Sequence, residues 1–370
     1  MGSVNIFITS EASIDENTEQ FAEELRHIKC GLLYGDRTTV LSVTSYALMA
    51  LYKTLLTARN KRLSIEQRIK AVNRFANATG LTGIPTNEIQ KRSITNTVLA
   101  EMDHQMSQYI SRFGWSEVAE TTRAQDLKFI SPYKGKDPYQ YLSQLLSETK
   151  EGSTKIIPVL YWIRIKEILE KVSCYPLLSE ATRETMRQEI SMGLINIKKE
   201  NFNSGKIAGF SSYMFIDLPY FPNATIQQII QLRKYLNKYL KIFRHAIAKY
   251  SEDIASEQWD KDFIIDAKRV FDKDVAPSLE ALKEEIRKNK FIRKFGSNLL
   301  TGSKNSIFSL MIGLGSAYMF DSLLVGLTCT ASGLALDSTR LAIKDKKEGR
   351  EAIERNGLYY YLATGDLLRP

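Results

Sequence analysis

Apolar positions along this chain recur mainly at three- and four-residue spacing, the period of an α-helix, and only briefly cluster as they do in strands. The opening mixes both patterns. Residues 4–9 form a β-branched run, Ser13 with Glu16 makes a capping box, and Phe21, Leu25, Ile28 and Leu32 mark one face of a helix that Gly35 ends. Residues 38–43 read as a second strand. Beyond them the spacing predicts helices over 46–59, 64–78, 86–113, 138–149 and 155–172, separated by Gly80, Gly83, Pro85, Gly114, Pro132 and Gly152. A further helix runs from Glu180 to about 200. A polar loop is expected over 201–209, a strand candidate at 212–218, and a break at Pro219 and Pro222.

The clearest amphipathic pattern starts at Thr225 and runs to about Ala255. Ile226, Ile229, Ile230, Leu236, Leu240, Phe243 and Ile247 share one side, and Lys234, Lys238, Lys241 and Lys249 share another. A second long helix is expected from about Trp259 to Lys290, kinked or restarted at Pro277 and basic after Glu285. Residues 306–336 differ from all of this. They are apolar and glycine-punctuated, with Asp321 as their one formal charge, nearly midway.

The predicted fold is therefore mainly α: a helical body with a small N-terminal α/β element and a C-terminal glycine-rich helical hairpin. The expected domains are the α/β element over 1–45, the helical body over 46–222, the basic amphipathic helices over 223–300, and the hairpin with a charged tail over 301–370. Two regions resemble patches in uncharacterised bacterial proteins, some of them thought to act in phage defence. These are Leu25-Arg26-His27-Ile28-Lys29-Cys30-Gly31-Leu32-Leu33-Tyr34-Gly35-Asp36, and the stretches Leu232-Arg233 to Phe243-Arg244 and Val270-Phe271 to Ser278-Leu279. The resemblance implies a bacterial setting and carries no catalytic residues.

Composition narrows the functional classes. With 44% hydrophobic and 25% charged residues and a mean hydropathy of −0.24, the chain is ordinary for a globular protein and unlike a polytopic membrane protein. Cys30, Cys174 and Cys329 lie far apart, outside CxxC or Cys/His ligand spacing, which fits a reducing compartment. The start lacks the cationic and apolar regions of a signal peptide, so a cytoplasmic protein is expected. A formal charge of +9 and a pI near 9.2 attract polyanions, whether nucleic acid or anionic lipid, without choosing between them.

Candidate chemistry is sparse. His27, His104 and His245 each fall within a predicted helix, no HExxH occurs, and no metal site or cofactor motif is expected. The glycines after the first strand do not form GxGxxG. Gly296 to Lys304 fails as a phosphate loop, because five residues separate its glycines and Ser303 stands between Gly302 and Lys304. Asp260, Asp262 and Asp266 with Lys268 could gather two acids for a metal-dependent nuclease. Acids at a helix start also serve the helix dipole, and that reading is the stronger.

The 306–336 segment carries the functional expectation. Arg287, Lys288, Lys290, Arg293, Lys294 and Lys304 precede it, and Arg340, Lys344, Lys346, Lys347 and Arg350 follow it. Positive charge at both ends suits a segment that enters and leaves a bilayer on one side, and the Tyr359-Tyr360-Tyr361 run suits an interface. Each arm beside Asp321 is about 15 residues, roughly 22 Å of helix against a hydrocarbon core of roughly 30 Å. Gly313, Gly315, Gly326 and Gly333 would let two helices approach closely, in lipid or in a soluble core alike. The first expectation is a non-enzymatic bacterial effector that docks or inserts this hairpin at the inner membrane, with self-association or a protein partner. The others are a nucleic-acid-binding protein or nuclease using the basic helices, and a soluble helical adaptor.

Overall fold

The computed structural model describes residues 3–10, 18–81, 96–112, 127–130, 156–288, 353 and 355–369. They are mainly helical, with a small N-terminal strand element, and they divide into two compact units. The first comprises residues 1–234 and 251–267, the second 235–250 and 268–370.

In the first unit, β1 (Asn5–Thr9) is apolar and buried over most of its length, the mark of a parallel strand covered on both faces. Helix α1 (Thr18–Tyr34) leads to β2 (Arg37–Leu41), which pairs parallel to β1 from Asn5 with Arg37 to Thr9 with Leu41. Two glycines let α1 press onto these strands. A Cβ on Gly31 would lie 2.7 Å from the Thr38 side chain, and one on Gly35 2.7 Å from Ile6. Gly35 also ends α1, as the sequence predicts, with its N–H bonded to the Gly31 carbonyl at 2.7 Å.

Ser42 stops β2. Its extended backbone and its side chain, which accepts the Ser45 N–H, cap helix α2 (Val43–Arg59), so this helix begins before the expected residue 46. Helix α3 (Ile65–Thr79) opens on a Ser64/Gln67 capping box and closes on left-handed Gly80; α4 spans Asn96–Arg112. Two further strands join the sheet. β3 (Leu127–Ile130) pairs parallel to β2, and, after helix α5 (Ile156–Lys171), β4 (Tyr175–Leu177) pairs parallel to β1. The order is β3-β2-β1-β4. Pro176 sits in β4 because that strand is at the sheet edge, where a missing N–H breaks no ladder.

Ser179 caps helix α6 (Glu180–Ser191), which ends before left-handed Gly193 rather than running on to 200. The loop expected over 201–209 and the strand expected at 212–218 are instead one helix, α7 (Lys199–Ile216). Surroundings override propensity here. α7 is buried on several sides, which erases its amphipathic period, and packs on α1 and β4. Asn201 is locked in place: its amide donates to the Leu169 and Val172 carbonyls, both at 2.9 Å, and its carbonyl oxygen accepts the Cys174 N–H at 2.9 Å. Gly209 faces the Phe263 ring, which a Cβ would meet at 2.7 Å.

Helix α8 (Ile226–Ser251) starts where the apolar stripe predicts, with Thr225 and Gln228 bonding reciprocally, and its Tyr235–Tyr250 stretch belongs to the second unit. The next helix begins at Phe263 rather than near Trp259: α9 covers Phe263–Val270, and α10 covers Ala276–Lys288. Between them Phe271–Val275 forms a π-helical turn, with the Ala276 N–H reaching back to the Phe271 carbonyl. This is the local form of the disturbance expected at Pro277, whose missing N–H weakens the regular ladder. Helix α11 (Tyr359–Leu368) packs into the second unit. Tyr360 stacks on Phe243 with centroids 5.1 Å apart, and Tyr359 meets Tyr239 edge-on at 4.8 Å. Tyr360 and Tyr361 are buried, so these two residues of the tyrosine run serve the protein core.

Candidate functional site

The lysines singled out on α8 share one solvent-facing side. Lys234, Lys238, Lys241 and Lys249 are exposed, opposite buried Leu236, Leu240, Phe243 and Ile247, and the helix contains no aspartate or glutamate. Lys238 also lies 4.5 Å from the centre of the Tyr239 ring. Arg287 and Lys288 fall in the last turn of α10. Lys290, Arg293, Lys294, Gly313, Gly315, Asp321, Gly326 and Gly333 lie outside the described residues, as does the Gly296 to Lys304 stretch. Among the described residues no helix is long and apolar enough to cross a membrane.

Of the sequence patches that carry the bacterial resemblance, the Leu32 to Asp36 end of one and Arg233 of another meet in the first unit. Arg233 donates to the Leu32 and Leu33 carbonyls at 3.3 Å and to the Gly35 carbonyl, so a guanidinium closes the C-terminal end of α1. It also pairs with Asp36 at 3.2 Å, and Asp36 accepts the Val4 N–H at 2.9 Å. This arrangement ties α8 to the start of β1 through one side chain.

Of the carboxylates considered for metal chemistry, Asp262 is exposed, while Asp260 and Asp266 have structural work. Asp260 accepts the Glu257 N–H at 2.7 Å, Asp266 accepts the Ser256 N–H at 3.1 Å, and Lys268 pairs with Asp272 at 2.6 Å. His104 of α4 bonds to Gln108, one turn along the same helix. Among the described residues no cluster of histidine, cysteine, aspartate and glutamate could hold a metal ion. Cys30 and Cys174 are buried, which pushes both thiols up to about 12 and leaves them unreactive.

A polar centre that sequence reasoning missed lies at the carboxyl ends of β1 and β2. Glu24 on α1 is 1% exposed, and burial raises its carboxyl above the usual range. The Ser45 hydroxyl donates to its Oε1, and the hydroxyls of Ser10 and Ser42 also favour the charged form. Ser42 and Ser45 belong to the first turn of α2, and Ser10 continues β1, its N–H bonded to the Leu41 carbonyl at 3.2 Å. Tyr161 donates to that same carbonyl at 3.2 Å. On the other side of β1, Thr9 accepts the Ser179 N–H at 3.2 Å. One helical turn from Glu24, burial holds His27 down at about 4, helped by the Arg183 and Arg26 charges, so its imidazole is neutral. The one signal in the sequence was a serine directly after each of the first two strands.

No family model, curated protein or solved structure matches this chain.

Proposed function

We propose that this protein is a non-enzymatic effector that docks or inserts residues 306–336 at a membrane as a hairpin, in a bacterial anti-phage setting and as an oligomer. One observation carries the reading. Helix α10, before the segment, and helix α11, after it, belong to the same compact unit, with Lys283 of α10 bearing electrostatically on Asp366 of α11. A single span would send the two flanks to opposite sides of a hydrocarbon core of roughly 30 Å, whereas a hairpin returns them to one side. The basic residues at both ends, and the lysine side of α8, would each gain about 1 kcal/mol beside anionic headgroups.

The test compares the full chain with a deletion of 306–336, by fractionation of expressing cells and by co-sedimentation with phosphatidylglycerol vesicles. Full-length protein should pellet with membranes and the deletion should not. If both stay soluble and are equally toxic or harmless, the reading fails, and co-purification of a protein partner without detergent would favour an adaptor instead. The acid-free lysine side of α8 also supports nucleic-acid binding as a second reading. That reading requires affinity for DNA or RNA that falls steeply with salt, through counterion release.

A further inference from the structure

The first unit carries an exposed apolar face on α5 and on the turn that ends α6. Met192 is 67% exposed, and Leu194 and Ile163 are each 54% exposed. Hydrogen bonds hold the two elements together here. Lys166 of α5 donates to the Leu194 carbonyl and pairs with Glu189 of α6 at 3.0 Å, and Ile163 stands one helical turn before Lys166. The Asn196 N–H continues the contact, reaching the Glu170 carboxylate at 3.1 Å.

The turn is fixed rather than loose. Gly193 is left-handed, with φ 67°; its N–H bonds to the Ile190 carbonyl at 3.0 Å, and the Leu194 N–H bonds to the Glu189 carbonyl at 2.9 Å. In this kind of helix ending the residue after the glycine often packs back on the last turn of its own helix. Leu194 instead leaves more than half of its surface to solvent. The ionic groups beside it do the opposite. The side chains of Lys166 and Glu189 are 25% and 22% exposed, and Arg164 pairs with Glu167 at 2.6 Å. Charges are therefore satisfied within the face while apolar groups stand out of it, and exposed apolar groups gathered in one place mark an interaction surface.

Charge selects the occupant. Helix α5 has three basic and two acidic residues and α6 has two basic and three acidic, so together they carry no net charge, in a chain of formal charge +9. Helix α8 has six basic residues and no acidic one. A polyanion or an anionic membrane gains at α8 and has nothing to gain from a neutral face. Two copies of this chain repel each other as wholes, and that repulsion is least where the local charge is zero, so apolar contact can exceed it there. A face that holds both signs also lets a two-fold axis set acids of one copy opposite bases of the other.

We propose that two copies of this chain associate about a two-fold axis through the face formed by Ile163, Met192 and Leu194. This gives a surface to the oligomer of the proposed function, and rests on that reading for there being one.

The experiment measures the molar mass of the full chain in solution, without lipid, by light scattering after size exclusion over a wide range of concentration. The parent should reach twice the mass of one chain. Met192→Glu combined with Leu194→Glu should weaken association at least tenfold with an unchanged helical circular dichroism spectrum, since both side chains are exposed. Ile163→Lys, on the other element, should do the same and serves as the test should the first variant lose its helical spectrum. The proposal is overturned if the parent is a single chain at every concentration, or if either folded variant associates as tightly as the parent. Pelleting with vesicles is read separately by the 306–336 deletion, so failure of the membrane reading and failure of this interface give different results.

Discussion

Helices α7 and α8 differ in composition and have opposite relations to their surroundings. α8 divides cleanly, with Phe243 and Ile247 inside and Lys241 and Lys249 outside, so its period survives in the sequence. α7 is enclosed by α1, β4 and the turn around Gln258 and Phe263, and it buries Asn201, Ser204, Ser211 and Ser212 with its apolar residues. Its serines are kept inside by bonding locally: Ser204 donates to the Cys174 carbonyl at 2.5 Å and to the Glu200 carbonyl at 2.9 Å, and Ser211 to the Ala208 carbonyl at 2.9 Å. A helix with polar residues can therefore lie deeper than one with a long apolar stripe. In α7 specific hydrogen bonds and close approach hold the structure, while in α8 apolar area does.

That contrast can be broken at graded strengths. The largest effect should come from Phe243→Ala, which removes a fully buried ring stacked on Tyr360 and should cost about 4 kcal/mol in denaturant unfolding. A loss below about 1 kcal/mol would mean that the apolar side of α8 is not core. Next comes a pH effect on α1, which packs against α7. Folded His27 titrates at about 4, below its ordinary 6.5, so the unfolded chain takes up a proton first. The stability it contributes is complete above about pH 6.5 and is lost as pH falls towards 4, by about 3 kcal/mol. Unfolding measured across that window should flatten in His27→Leu.

Asn201→Ala should cost about 2 kcal/mol, because the Cys174 N–H would be left buried without its acceptor. A smaller cost would point to a water taking over the bond. Gly209→Ala should cost about 1.5 kcal/mol through overpacking against Phe263, although alanine is the better helix former. If that substitution stabilises the protein, the approach of Phe263 to α7 is looser than described. At the bottom of the scale, Lys241→Ala should change stability by less than about 0.5 kcal/mol, since the side chain is exposed.

Legibility in the sequence followed the same division. The helix start at Thr225, the stop at Gly35 and the stripe of α8 were readable because each depends on neighbours within one turn. β1 and β2 were readable as apolar runs. β3 and β4, at four and three residues, were too short to show a period, and a proline within a run argues against a strand. α7 was unreadable because its glycines and serines answer to Phe263, Cys174 and Gln258, distant in sequence. The lysines of α8 were legible as a surface, whereas Glu24 was not a visible candidate until the β1–β2 register brought Ser10 and Ser42 to the same edge.

The return of the chain to the second unit has a consequence for synthesis. The first unit has all its residues once Ala267 has been made, so it can fold while the rest is still being translated. The second unit cannot close until Tyr359–Leu368 supplies the ring that covers Phe243. Residues 306–336 therefore leave the ribosome ahead of the helix that completes their own unit. Any ribosome that stalls between them would release a chain with a finished first half and an open second one, a strong substrate for chaperones and proteases.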